Sequence, residues 1–221
     1  MTLSSSDYGA DYFAAVYGAA SETGEPSQTW IDRARDRLLV QIADRYAPRP
    51  LADCTVVDVG CGYGWLLDNF ADARRLCGSD ISEHAIAMAK QRDPGRDYRV
   101  ADLLDGPPFE GTFDIVLAVN LIEHLTDPRA GVRSIRALCH RGSIVLVHLP
   151  VVDNVLGRWI YDRTYASDPT HIYRPSGRDV RELFQAEGFT TVRESYLPHR
   201  LPALTRHLRI HPSYLAVFRA G

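Results

Sequence analysis

The run VVDVGCGYG at 56–64 narrows the possible folds more than any other stretch of the chain. Val56, Val57 and Val59 make a short buried strand interrupted by one acid, Asp58, and this strand runs directly into glycines 60, 62 and 64. A chain of L-residues bends that sharply where Cβ atoms are missing, and the same absence lets a ligand lie against the backbone. The following segment reads as a helix whose N-terminus points at that ligand. Strand, glycine turn and helix in this order put a binding crevice at the carboxyl edge of an α/β sheet.

The rest of the chain alternates in the same way. Trp30, Ala34, Leu38 and Ile42 predict an amphipathic helix from Ser27 to Tyr46, capped by Ser27 and ended by APRP at 47–50. WLLDNFADA (65–73) reads as helix, RLCGSD (75–80) as strand, and EHAIAMAKQR (83–92) as a helix capped by Ser82. DYRVAD (97–102) is a third strand, and FDIVLAVN (113–120) is apolar enough to be a central one. A helix over 127–140 leads to the strand RGSIVLVHLP (141–150). Ser176 and Asp179 form a capping-box pair before a helix closed by Gly188, and FTTVRESYL and SYLAVFRAG finish the chain as strands. The expected fold is α/β: a doubly wound, mostly parallel seven-stranded sheet with helices on both faces and an antiparallel last strand. Residues 1–221 read as a single domain, with 1–46 as an N-terminal helical cap. Residues 150–175, which carry Trp159, Tyr161, Tyr165 and Tyr173, form a lid-like insertion.

Composition excludes several classes. The formal charge of −3 provides no field to attract nucleic acid or an anionic membrane. The apolar runs are of strand length, far short of a bilayer span. The N-terminal segment lacks the basic-then-apolar order of a secretion signal, so a cytoplasmic protein is expected. Cys54, Cys61, Cys77 and Cys139 are scattered without a C-x-x-C pair and read as reduced, buried side chains, with no metal site. Every basic side chain but Lys90 is arginine or histidine, a mark of GC-rich coding DNA, so the expected source is a bacterium. The glycine run also excludes two nucleotide sites. A dinucleotide fingerprint needs glycine where Trp65 stands, and a P-loop needs a Gly-Lys-Ser/Thr ending that is absent.

The pattern that is present, D-x-G-x-G-x-G led by Asp58, resembles motif I of the class I S-adenosylmethionine (SAM)-dependent methyltransferases. The resemblance extends from Val56 to Gly188, and the segment DPTHIYRPSGRDVRELFQAEGF is similar to one found in small-molecule and quinone-biosynthesis members. It implies SAM as the cofactor. Gly60, Gly62 and Gly64 would wrap the methionine part, with Asp58 acting on its amino-acid end. Asp80, followed by Ile81, would accept hydrogen bonds from both ribose hydroxyls, as two carboxylate oxygens suit a vicinal diol. Asp102 would take the adenine amino group and the Leu103 amide a ring nitrogen, and Asn120 would stand at the fourth strand end. Tyr12 and Tyr17 either close over the cofactor or pack as aromatics of an amphipathic helix.

For chemistry, His171 is a general-base candidate because histidine titrates near neutral pH; its other reading is a hydrogen bond that holds the insertion shut. His148 is a second catalytic candidate or a pocket-wall residue, and Tyr12 a third. Asn120, Glu123 and His124 either take part in chemistry or only cap and orient a helix. Arg200, Arg206 and Arg209 read as a solvated linker or as a contact for an anionic substrate. The expected function is methyl transfer to a small-molecule substrate such as a secondary metabolite or sugar, with oxygen ahead of nitrogen or carbon as the receiving atom. No metal is expected, and a homodimer is an open possibility. A SAM-binding scaffold or sensor without transfer activity is the alternative from another class.

Overall fold

The structure, a computed structural model, describes residues 5–16, 27–166, 168–196 and 212–221. In chain order the helices are α1 (Ala10–Val16), α2 (Trp30–Tyr46), α3 (Trp65–Asp68), α4 (Glu83–Arg92), α5 (Pro128–Ala137), α6 (Val155–Thr164) and α7 (Gly177–Ala186). The strands are β1 (Thr55–Val59), β2 (Arg75–Asp80), β3 (Asp97–Val100), β4 (Phe113–Val119), β5 (Cys139–Pro150), β6 (Phe189–Tyr196) and β7 (Ser213–Ala220). They form one sheet in the order β3-β2-β1-β4-β5-β7-β6. The first five strands are parallel to their neighbours, and β7 runs antiparallel between β5 and β6, as expected from the sequence.

Side chains that alternate along each strand feed two cores, one on each face of the sheet. Val57, Val59, Val116, Val145 and Val147 face α5 and α7 through Val132, Ile135, Val180 and Phe184. Val56, Ile115, Leu117, Ile144 and Leu146 face α2, α3 and α4 through Leu39, Leu67 and Ile86. Burial on both faces explains why the central strands are nearly continuous runs of Val, Ile and Leu. A third cluster joins Tyr8 and Phe13 of the N-terminal segment to Tyr63 and Ala85, and the Ser82 hydroxyl donates to the Tyr8 carbonyl at 2.6 Å.

Several local expectations are corrected. Helix α2 is capped by Thr29, not Ser27: Thr29 accepts from the Asp32 amide while Asp32 accepts from the Thr29 amide. Its buried stripe is Asp36, Leu39, Ile42 and Ala43, and Trp30 is 65% exposed, so the helix is rotated relative to the stripe read from Trp30 and Ala34. The segment 65–73 makes a single helical turn, α3, because the Asn69 side chain donates to the Trp65 and Leu66 carbonyls and competes with continuation. A helix so short supplies no dipole for a ligand, which removes that part of the reading. Strand β3 stops at Val100, where the Asp102 side chain turns the chain by accepting from the Leu104 amide. The insertion at 150–175 contains α6, capped by Asn154, which accepts from the Gly157 amide at 2.8 Å. Tyr17, Arg200, Arg206 and Arg209 lie outside the described residues.

Candidate active site

A cavity of about 710 Å³ opens where the carboxyl ends of β1, β2, β3 and β4 meet the N-terminal segment and the loop after α6. This lies within the ~300–1,000 Å³ of small-molecule sites. The glycine turn forms its floor. Gly60 has φ +76°, and a Cβ there would stand 2.9 Å from Leu121 Cδ1, so a side chain at this point is strained by the backbone and crowds Leu121. Gly62 and Gly64 share the left-handed backbone.

Asp58, Asp80 and Asp102 all line the cavity. Asp58 is 2% exposed, and its Oδ1 is buried with no hydrogen-bond partner. Burial, then the nearby Asp36 and Asp80 carboxylates, push its carboxyl well above the usual range, with Arg35 opposing them. Asp80 is braced from below: its Oδ2 accepts from the Gly62 amide at 2.8 Å and its Oδ1 from the Ser82 amide at 2.9 Å. Burial raises the Asp80 carboxyl, and the amides of Ser82, Gly62 and Ile81 oppose the rise. Ile81 and Leu103 line the cavity as well. Asn120 is there too, with φ +52°, the one described non-glycine residue with positive φ.

His148 does not line the cavity; it lies within the sheet. Its Nδ1 is 3.0 Å from Asn120 Oδ1 and its Nε2 is 2.9 Å from Ser213 Oγ. One ring nitrogen holds the Asn120 tip and the other ties to Ser213 of β7, which makes His148 a positioning residue here rather than a pocket wall. His171 and Tyr12 do reach the cavity. The Tyr12 hydroxyl donates to Asp168 Oδ2 at 3.3 Å, and His171 Nε2 is 3.7 Å from the same oxygen. The Tyr161 hydroxyl is 3.3 Å from His171 Nδ1.

Two groupings were not read from the sequence, one of residues never singled out and one of residues singled out only separately. The first is Gln28, Arg35 and Asp36 on the wall facing Asp58. Asp36 is fully buried, accepting from Gln28 Nε2 at 2.7 Å and from the Arg35 guanidinium at 2.8 and 2.9 Å. An acid three residues before Leu39 and seven before Ala43 on one helix face was the available signal. The second is the cluster of Glu123, His124 and His171, whose potential ligand atoms all lie within 4.8 Å of one another. No short sequence spacing announces it, since His171 comes from the far side of β5 and α6. Glu123 is fully buried with neither carboxylate oxygen hydrogen-bonded, and burial pushes its carboxyl up to about 8. The His124 and His171 rings meet edge to face at 4.8 Å. Burial lowers His124 to about 4, with repulsion from His171 adding to it, and burial also lowers His171. Both imidazoles are thus shifted toward the neutral form.

The sequence is 27% identical over 175 residues to a probable SAM-dependent methyltransferase of Mycolicibacterium smegmatis, covering 78% of this chain and 64% of that one. It is 34% identical over 107 residues to a ubiquinone biosynthesis O-methyltransferase of Methylocella silvestris, covering 46% and 42% of the two chains. The chain thus spans less than two thirds of the length of either relative. Among solved structures, the magnesium protoporphyrin IX methyltransferase of Synechocystis PCC 6803 with bound S-adenosylhomocysteine (SAH) superposes with a TM-score of 0.65 at 17% identity, covering 96% and 94%. That likeness establishes the shared fold. A family model described as a methyltransferase domain matches residues 31–194, and the chain belongs to that family.

Proposed function

We propose that this chain transfers a methyl group from SAM to a small-molecule acceptor, with oxygen as the receiving atom. The observation that carries the reading is that one cavity is lined by two chemically distinct sets of residues: the acids Asp58, Asp80 and Asp102, and the Glu123, His124 and His171 cluster. The first set fits the cofactor. Asp58 Oδ1 is a buried acceptor awaiting a donor, and the backbone at Gly60 is bare. The oxygen choice draws support from the relative named as a ubiquinone biosynthesis O-methyltransferase.

Bound SAM supplies a methyl carbon already activated by its sulfonium. What the chain contributes is placement. Asp80 accepts from the two ribose hydroxyls, Asp102 from the adenine amino group, and the Leu103 amide donates to the adenine ring. Asp58, Gln28 and Arg35 hold the amino-acid end. Holding two reactants in attack geometry supplies roughly 7–11 kcal/mol of a barrier. Tyr12, Tyr165 and the loop 168–171 exclude water and direct the acceptor hydroxyl to the polar cluster, which polarises it or receives its proton.

Incubation with SAM and a panel of small hydroxylated and amino acceptors, read by mass spectrometry, tests this. Gain of one methyl on a hydroxyl is the expected result. Methylation confined to amines overturns the oxygen assignment. Tight SAM binding without any methylated product across the panel favours the non-catalytic SAM-binding alternative.

A further inference from the structure

We propose that Glu123, His124 and His171 bind one divalent cation of the zinc class on the wall of the cavity. The first observation is proximity: a carboxylate oxygen and two imidazole nitrogens lie within 4.8 Å of one another on the cavity wall. The second is independent of it. Glu123 is 0% exposed and both of its oxygens lack a hydrogen-bond partner, although two imidazoles stand beside it. A carboxylate is retained in such a position when something positive or donating completes it.

The His124 imidazole is set for ligation. A metal-bound histidine characteristically gives its other ring N–H to a carbonyl or carboxylate, which fixes the tautomer and the ring plane. His124 does this: its Nδ1 is 3.2 Å from the Thr170 carbonyl oxygen and 2.9 Å from the Thr170 hydroxyl, which turns Nε2 to the other side of the ring. Thr170 is itself anchored, its amide donating to Asp168 Oδ1 at 2.8 Å. His171 has its Nδ1 against the Tyr161 hydroxyl and its Nε2 toward Asp168. Two imidazoles with one carboxylate select zinc or another first-row dication over magnesium or calcium, and leave positions open for water or substrate. Ligand bonds of about 2.0–2.2 Å place such atoms about 3–3.5 Å apart, so the trio closes by about 1.5 Å on binding.

An ion so placed would ligate the acceptor oxygen and lower its pKa, so that its proton passes to solvent water and the alkoxide or phenolate takes the methyl group as the sulfonium leaves as SAH. This role rests on the function proposed above; the binding of the ion does not.

The test uses untagged full-length protein, stripped with chelator and titrated with Co²⁺ in the absence of SAM. Visible absorption of the bound ion is read, and Zn²⁺ displacement is measured by calorimetry. One equivalent is expected, with affinity at least about tenfold weaker in Glu123→Gln and in His171→Asn. Circular dichroism checks the fold of each variant, and if Glu123→Gln fails to fold, His171→Asn carries the comparison. Absence of saturable binding, equal affinity in the folded variants, or near-ultraviolet thiolate bands that place the ion on a cysteine would each overturn the proposal. Any of these leaves methyl transfer standing, because SAM and acceptor are absent from the measurement. Intact cobalt binding together with no methylated product in the separate acceptor panel would sink the other reading alone.

Discussion

Replacing Asp80 separates two duties that the structure gives to one carboxylate. Two carboxylate oxygens offer about four lone-pair sites. One on each oxygen is used internally, by the Gly62 amide at 2.8 Å and the Ser82 amide at 2.9 Å. The carboxylate also lines the cavity, where its remaining acceptor capacity suits vicinal hydroxyls. In Asp80→Asn one oxygen becomes an NH₂ group, which confronts a backbone N–H and leaves it without an acceptor. An unsatisfied donor costs about 1–3 kcal/mol. At about 2–4 °C per kcal/mol for a chain of this size, the melting temperature falls by roughly 2–12 °C. The same change removes one of two charge-assisted bonds to the ribose, each worth about 1.5–3 kcal/mol. SAM affinity then falls about 10- to 100-fold, and in Asp80→Ala, which loses both, about 10²- to 10⁴-fold. Calorimetric titration with SAM and with SAH reads the affinity, and denaturant unfolding without ligand reads the stability. Affinity within twofold of the parent in either folded variant refutes the ribose assignment. An unchanged unfolding midpoint refutes the bracing of the glycine turn.

Three further outcomes are expected. His171→Ala lowers kcat by about 10²–10⁴-fold while SAM affinity stays within twofold, as measured by steady-state methylation and calorimetry, because the ring belongs to the cavity-lining set that takes the acceptor. Gly60→Ala forces a left-handed φ of +76° on an L side chain and crowds Leu121, for a loss of about 2–5 kcal/mol read by denaturant unfolding. Asp114 governs acid stability. Burial raises its carboxyl, but the Thr55 amide at 2.8 Å, the Thr55 hydroxyl at 3.0 Å, His140 at 3.1 Å and Arg49 at 3.0 Å outweigh that and hold it below the usual range. A carboxyl with a lowered folded-state pKa contributes stability above its unfolded pKa of about 3.9, and loses it as the pH falls through the folded value. Asp114→Asn therefore costs about 1–3 kcal/mol at pH 7 and progressively less as the pH drops below about 4, as checked by unfolding across that range.

Elements built from near neighbours were legible before any coordinates. The strand 75–80 and the helix 83–92 with its Ser82 cap were read to the residue, because alternation, periodicity and capping are local signals. The segment 65–73 failed for a local reason as well: the Asn69 amide competes for helix carbonyls, and apolar patterning does not register that competition. His148 failed for a non-local one. Its position near the end of a strand suggested a pocket wall, but pairing with Asn120 and with Ser213 of β7 turns both nitrogens into the sheet.

The sequence alone determined the crevice. An apolar strand that ends in bare glycines, with acids at the ends of two later strands, has few ways to fold, and parallel pairing brings those ends to one edge. Only the tertiary structure decided what stands across from them. Asp36 reaches Asp58 because α2 packs over the sheet, and His171 meets Glu123 and His124 because the loop after α6 folds back over β4. Such meetings join residues far apart in the chain, and they are chosen by packing of whole elements, for which no short stretch of sequence carries the code.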